Sequence, residues 1–188
     1  MRRLILVAHT SLDGFVAGMN GELDGFEASE ENLQFVCTLT EDADTALFGR
    51  VTYELLNGYW PTAANIPHAT VGQVAYSNWY NNARKIVISG KIMDDNLANT
   101  IIIRKDILNE IAKLKEQEGK NILIFGSPTI FQLVQPDLID SYWIFINPAI
   151  FGKGISLFAP TANNIKLKLM ASKEFRNGEI ALHYQRIN

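Results

Sequence analysis

The chain of 188 residues holds one cysteine, Cys37, so no disulfide framework can form and a reducing compartment is expected. No apolar run approaches the ~20 residues that a membrane helix needs. The run Ser141-Tyr-Trp-Ile-Phe-Ile-Asn147 ends at Pro148. Basic residues never cluster beyond a pair and the formal net charge is −3, which leaves no field to hold nucleic acid or an anionic membrane. His9, His68 and His183 lack metal-ligand spacing and read as structural. There is no Walker lysine motif, and Gly152-Lys-Gly154 begins like a dinucleotide fingerprint but meets Leu157 where a third glycine should stand, so it reads as a turn. The opening Met1–Ala8 mimics a signal peptide, yet its apolar run stops at His9-Thr10-Ser11, too short for such a segment, and reads as a first strand. A soluble, cytoplasmic protein is expected.

At 47% hydrophobic and 20% charged residues, the chain can bury a full core as one domain spanning 1–188, with no repeat, low-complexity segment or linker to divide it. Apolar, β-branched runs of strand length recur at Leu4–Ala8, Ala46–Phe48, Lys85–Ser89, Thr100–Ile103, Ile122–Phe125 and Tyr142–Asn147. The runs Lys166–Phe175 and Glu179–Arg186 are joined by Arg176-Asn-Gly178, a hairpin signal that makes them antiparallel. Helical patterns lie between the earlier strands: Ser29–Leu39, Val51–Leu56, Val71–Asn81, Asp106–Glu118 and Pro128–Val134. In the fourth, Ile107, Ile111 and Leu114 share one face while Lys113, Glu116 and Lys120 point away. Strands alternating with helices predict an α/β fold with a mostly parallel central sheet covered on both faces.

In such sheets ligands bind at the carboxyl ends of the strands. The first informative end is Thr45-Ala-Leu-Phe-Gly-Arg-Val-Thr-Tyr-Glu54. Here a strand stops at Gly49 and a short helix begins, with free N–H groups, a partial positive charge and the Arg50 fork for an anion. The bland alternative is that Arg50 pairs with Glu41, Asp42 or Asp44 at the surface. The second end is Ile124-Phe-Gly126, with Ser127 as N-cap and Pro128 as first helical residue. It is equally what any well-capped helix would show. The third places Ser89 and Lys91 after a strand, where Lys91 alone would simply be solvated. Two phosphate cradles and a third cationic end together point to a dinucleotide.

Five motifs in order resemble the dihydrofolate reductase-like superfamily: Ser11-Leu-Asp-Gly14, Leu47-Phe-Gly-Arg-Val-Thr-Tyr-Glu54, Lys85-Ile-Val-Ile-Ser89, Ile124-Phe-Gly-Ser127, and Ile150-Phe-Gly-Lys-Gly154 followed by Leu157-Phe158. The closer resemblance is to the branch of the riboflavin-biosynthesis reductase C-terminal domain (RibD C-terminal domain) and its stand-alone relatives. That resemblance implies a dihydrofolate reductase-like fold with a C-terminal antiparallel hairpin, and NADPH as hydride donor. It would place Gly49, Arg50 and Thr52 on the adenosine 2′-phosphate and pyrophosphate side, Ser89 and Lys91 near the 2′-phosphate, and Gly126, Ser127 and Thr129 under the pyrophosphate.

Two departures narrow the function. The acid that folate reductases carry on the first helix has no counterpart at the expected place, near Leu33. Glu30 and Glu31 lie close by, where each could act on substrate or merely complement the helix dipole beside the Ser29 cap. Between Leu4 and Gly49 there is no lysine or arginine, whereas Asp13, Glu22, Asp24, Glu27, Glu30, Glu31, Glu41, Asp42 and Asp44 all fall there. Such a field disfavours a phosphorylated sugar, and the zinc signature of the riboflavin deaminase partner cannot exist with one cysteine. Asp13 is either a turn residue of Asp13-Gly14 or a group that orients substrate and relays a proton. Trp60 either walls the substrate pocket or packs.

The leading expectation is thus an NADPH-dependent reductase of a small heterocycle, carbonyl or imine, with Asp13 and Glu30 as candidate catalytic residues. The rival is a dinucleotide-binding or ligand-sensing module without turnover. Dimerisation through the C-terminal strands or through Tyr142–Phe151 is compatible with both.

Overall fold

The central strand β1 (Leu4–Thr10) is apolar along nearly its whole length because it is covered on both sides. Leu4, Leu6 and Ala8 point into one core layer, and Ile5 and Val7 into the other. In the computed structural model, which describes the chain apart from residues 28, 93–96, 127, 135, 161–163 and 188 and the side chains at 128, 129, 132 and 136, β1 pairs in parallel with two neighbours. Leu6 lies opposite Ile124 on one side and Tyr142 on the other.

The remaining elements follow in chain order: β2 (Phe15–Ala17), α1 (Glu30–Glu41), β3 (Ala43–Gly49), α2 (Arg50–Asn57), α3 (Val71–Asn82), β4 (Arg84–Ile88), β5 (Thr100–Ile103), α4 (Ile107–Glu116), β6 (Asn121–Phe125), α5 (Pro128–Val134), β7 (Ser141–Ile146), β8 (Ile155–Ser156), β9 (Leu167–Glu174) and β10 (Ile180–Arg186). Eight strands form one sheet in the order β5-β4-β3-β6-β1-β7-β10-β9. All pairings from β5 to β7 are parallel, and β10 and β9 are added antiparallel at one edge.

One core layer packs α4 and α5 on the sheet through Ile111, Leu114, Ile130, Phe131 and Val134. The other, rich in aromatic rings, packs α1, α2 and α3 through Val36, Tyr53, Tyr76 and Tyr80. The predicted mostly parallel sheet covered on both faces is therefore present, as is the hairpin. Its turn closes at Asn177-Gly178, with Gly178 at φ +85° and the Asn177 Oδ1 accepting the Glu179 N–H.

Two features were not anticipated. A small second sheet pairs β2 with β8 antiparallel; strands of three and two residues carry too few positions to show an alternation. Lys115, on the apolar side of α4, is buried. Its ammonium donates to Asp140 and to the Leu138 carbonyl, both at 2.7 Å, and Asp140 also accepts the Leu4 N–H.

A matching anchor holds β3 at the same end of the sheet. The buried Arg2 guanidinium donates to Asp44, to Thr45 Oγ1 at 2.6 Å and to the Lys120 carbonyl at 2.6 Å. Lost charge-assisted bonds of this kind cost about 2 kcal/mol. Arg2→Met should lower the urea midpoint accordingly, while removing the exposed Lys113, paired with Glu110 on its own helix, should leave it unmoved. Equal shifts in the two variants would show that Arg2 is no anchor.

Candidate active site at the carboxyl ends of the strands

At the opposite end of the sheet, β3 runs directly into α2 through Gly49, which serves as N-cap. No side chain caps this helix, in contrast to α1 and α3, which Ser29 and Thr70 cap, and no acid occupies its first turn, in contrast to α1. The neighbouring strand β6 ends at Gly126, with φ +145°, a conformation open to glycine and costly to any residue with a side chain. A Cβ on Gly126 would lie 3.4 Å from both Thr52 Oγ1 and Ile130 Cγ1, and one on Gly49 would lie 3.1 Å from Ile130 Cγ1. The fold therefore brings Gly49, Thr52 and Gly126 together beneath the start of α5.

Arg50 opens α2 and donates to Glu54 at 2.6 Å, one helical turn on. That partner is none of the three acids weighed for it: Glu41, Asp42 and Asp44 lie at the other end of β3, where Arg2 engages Asp44. The pair is exposed and available to an incoming anion. At the end of β4, Ser89 Oγ accepts the N–H groups of Lys91 and Ile92 at 3.0 and 3.1 Å, which turns the chain and leaves Lys91 on the surface. Ser127 and the Thr129 side chain lie outside the described residues.

Asp13 is engaged on both oxygens. It accepts Ser11 Oγ–H at 2.6 Å and the N–H groups of Phe151 and Gly152 at 3.1 and 2.7 Å. The Ser11 hydrogen bond and these backbone donors hold its carboxyl below the usual range. This ties the loop after β1 to the turn before β8.

Glu30 is engaged likewise, by Thr70 Oγ1, the Gly72 N–H at 2.8 Å and Gln34 Nε2 at 2.8 Å. Burial raises its pKa, and the hydrogen bonds together outweigh that and leave it lowered. Its donors all come from α1 and the start of α3, so it clamps two helices. Trp60 packs against Tyr59 and Tyr76, and its carbonyl accepts the Ser77 hydroxyl.

Sequence reasoning missed a polar cluster at this same end of the sheet. Glu179, just before β10, is buried and accepts Asn32 Nδ2 at 2.5 Å and Asn147 Nδ2 at 3.0 Å, and His9 Nδ1 lies 2.8 Å from it. The His9 ring stacks on Phe145 with centroids 4.6 Å apart. No local motif could have revealed this, since His9 and Glu179 stand 170 positions apart.

A family model described as the RibD C-terminal domain matches residues 2–181. The chain belongs to that family. Two Bacillus subtilis (strain 168) proteins of uncharacterized activity are relatives along its length. YyaP is 28% identical over 185 residues, covering 97% of this chain and 94% of YyaP, and YwjB is 27% identical over 187 residues, covering 98% of each.

Among solved structures, a protein proposed to act in riboflavin biosynthesis in Shewanella sp. PV-4 superimposes with a TM-score of 0.74 at 21% identity over 99% of both chains. The dihydrofolate reductase of Enterococcus faecalis, complexed with NADP(H) and RAB-propyl, gives 0.66 at 15% identity over 99% of this chain and 97% of its own. A pyrimidine reductase-like protein from Corynebacterium diphtheriae gives 0.69 at 15% identity over 100% and 92%. The dihydrofolate reductase-like fold of this RibD C-terminal domain is thereby shown.

The residues present suit an anionic dinucleotide. A helix start without a side-chain cap, the Arg50 guanidinium and the Thr52 hydroxyl stand beside two glycines that let backbone approach a ligand closely. Gly126→Ala should destabilise the protein by about 1–3 kcal/mol through backbone strain. Gly90→Ala, which meets nothing within 4 Å, should be neutral, and equal thermal midpoints for the two would refute the strain argument.

The Asp13 tether has a defined pH response. Because its pKa is lowered from 3.8, the tether is complete above that value and is lost only as pH falls through the lower one. Protection of the Gly152 amide against hydrogen exchange should therefore persist at pH 5 in the wild type. It should be weakened at every pH in Asp13→Asn; unaltered protection in the variant would show that the tether does not hold the turn.

Proposed function

We propose that this chain is an NADPH-dependent reductase acting on a small, neutral or cationic heterocycle, carbonyl or imine. The observation that carries the reading is the convergence of Gly49, Thr52 and Gly126 at the ends of two adjacent parallel strands, under an α2 start that no side chain caps. Membership of the RibD C-terminal domain family and the fold shared with reductases support it.

In this reading Gly49, Arg50 and Thr52 hold the adenosine 2′-phosphate and pyrophosphate side, Ser89 and Lys91 approach the 2′-phosphate, and Gly126, Ser127 and Thr129 lie under the pyrophosphate. NADPH supplies hydride when bound. The protein's task is then positioning and exclusion of water. Arg50 exchanges its exposed Glu54 partner for phosphate, a change that costs little because a surface pair of this kind is weak.

Acids dominate the stretch from Leu4 to Gly49, which disfavours a phosphosugar. The saturated carboxylates of Asp13 and Glu30 favour a rival reading, a dinucleotide-binding module without turnover.

Titration of the purified protein with NADPH and NADH, followed by nicotinamide fluorescence, tests the cofactor assignment. NADPH should bind more tightly than NADH, and Arg50→Ala should reduce that preference about tenfold, the worth of one charge-assisted contact. An unchanged preference would remove Arg50 from the site. Binding of NADPH with no reduced substrate across a carbonyl and imine panel would favour the module.

A further inference from the structure

We propose that His9, oriented by Glu179, is the substrate-facing proton donor of this site. The proposal rests on the reductase reading and adds the group that neither Asp13 nor Glu30 supplies.

Position comes first. On β1, Ile5, Val7 and His9 alternate onto the aromatic face of the sheet, and Val7 lies opposite Phe125 of β6. Gly126 follows β6 directly, so His9 stands one strand across from the glycine end and just beyond it, within the reach set by the ~4.8 Å strand spacing. The loop that Asp13 ties down follows at once. His9 thus occupies the carboxyl end of the central strand, where two crossovers leave a crevice in sheets of this kind.

Chemistry comes second. A carboxylate as buried as Glu179, whose side chain is 2% exposed, needs donors, and the amides of Asn32 and Asn147 already provide one to each oxygen. His9 is an additional partner on Oε1. Packing alone would be served by an apolar residue against Phe145, as Val7 and Ile5 serve elsewhere along the strand.

The carboxylate accepts, so the 2.8 Å contact assigns the hydrogen to Nδ1. That leaves Nε2 as the outward ring atom, in a side chain 41% exposed and with no hydrogen-bond partner among the described residues. A buried carboxylate that fixes the orientation of an imidazole and leaves its second nitrogen toward the reacting group is the arrangement general acid–base chemistry requires.

The step balances without a further reagent. When hydride reaches the carbon of a C=O or C=N bond, the π pair moves onto oxygen or nitrogen. That atom takes the Nε2 proton of the imidazolium, the N–H pair stays on the ring, and water returns a proton through the exposed edge. Glu179 acts through His9 and not on the substrate. It is a positioning residue, fixed in turn by α1 through Asn32 and by the end of β7 through Asn147.

The experiment uses the full 15N-labelled chain and NADP⁺ as the probe. In the wild type, NADP⁺ should shift the Gly126 amide and the His9 Nε2 resonance together, the latter identified by its loss in His9→Gln. His9→Gln should bind NADP⁺ within threefold of the wild type and lose at least ~100-fold in turnover of any carbonyl or imine the wild type reduces. Glu179→Gln should move the His9 proton from Nδ1 toward Nε2 and lower kcat with little change in KM. NADP⁺ binding that leaves His9 Nε2 unshifted, or His9→Gln turnover within threefold, would overturn the proposal and leave the reductase reading standing. No response to NADP⁺ anywhere, or binding with no compound reduced, would remove that reading and this proton step with it.

Discussion

Burial of a parallel sheet on both faces is the constraint from which the rest of this structure follows. Once α4 and α5 cover one face and α1, α2 and α3 the other, no polar group can leave the middle of a strand without losing its hydrogen bonds. Charge and chemistry are driven to the two ends. Because the strands from β5 to β7 all point the same way, the two ends differ in kind, with amino ends on one rim and carboxyl ends on the other.

The amino rim is used for anchoring. Arg2 and Lys115 are basic residues drawn into the protein, and each meets a carboxylate together with backbone carbonyls, so that β1, β3, β6 and β7 are stapled at a common level. The carboxyl rim is built differently. Glycines end β3 and β6, hydroxyls and amides line it, and the one deeply buried carboxylate among the described residues, Glu179, sits where β10 enters the rim from the opposite direction. The antiparallel hairpin therefore has a consequence for the site: by running backward it brings the start of a strand, with its own side chains, to the rim where every other strand finishes.

Much of the scaffold was legible because local signals agreed with the tertiary arrangement. Thr100–Ile103 and Pro128–Val134 read with their observed limits, and the other strands and helices differ by one to three residues at their ends, where hydrogen bonding to neighbours rather than propensity decides. Asn177-Gly178 marked the hairpin because a positive φ demands such a residue. Glycines at strand ends marked the rim for the same reason. The small β2–β8 sheet escaped, since its stability comes from pairing across more than a hundred residues and not from any run of its own.

The sequence by itself determined the class of fold, the order of its elements and the glycines that end β3 and β6 at one rim, since these follow from hydrophobic period and from backbone positions only glycine tolerates. Tertiary structure alone decided which charged groups serve which end. Arg50 faces Glu54 and not Asp44, Asp13 braces a turn 138 positions away, Glu30 clamps α3, and Glu179 gathers His9 and two asparagines from three separate elements. The reason is physical: a polar side chain's role is set by the partner it meets at hydrogen-bond distance, and that partner is chosen by how strands and helices pack, over separations along which a sequence carries no period.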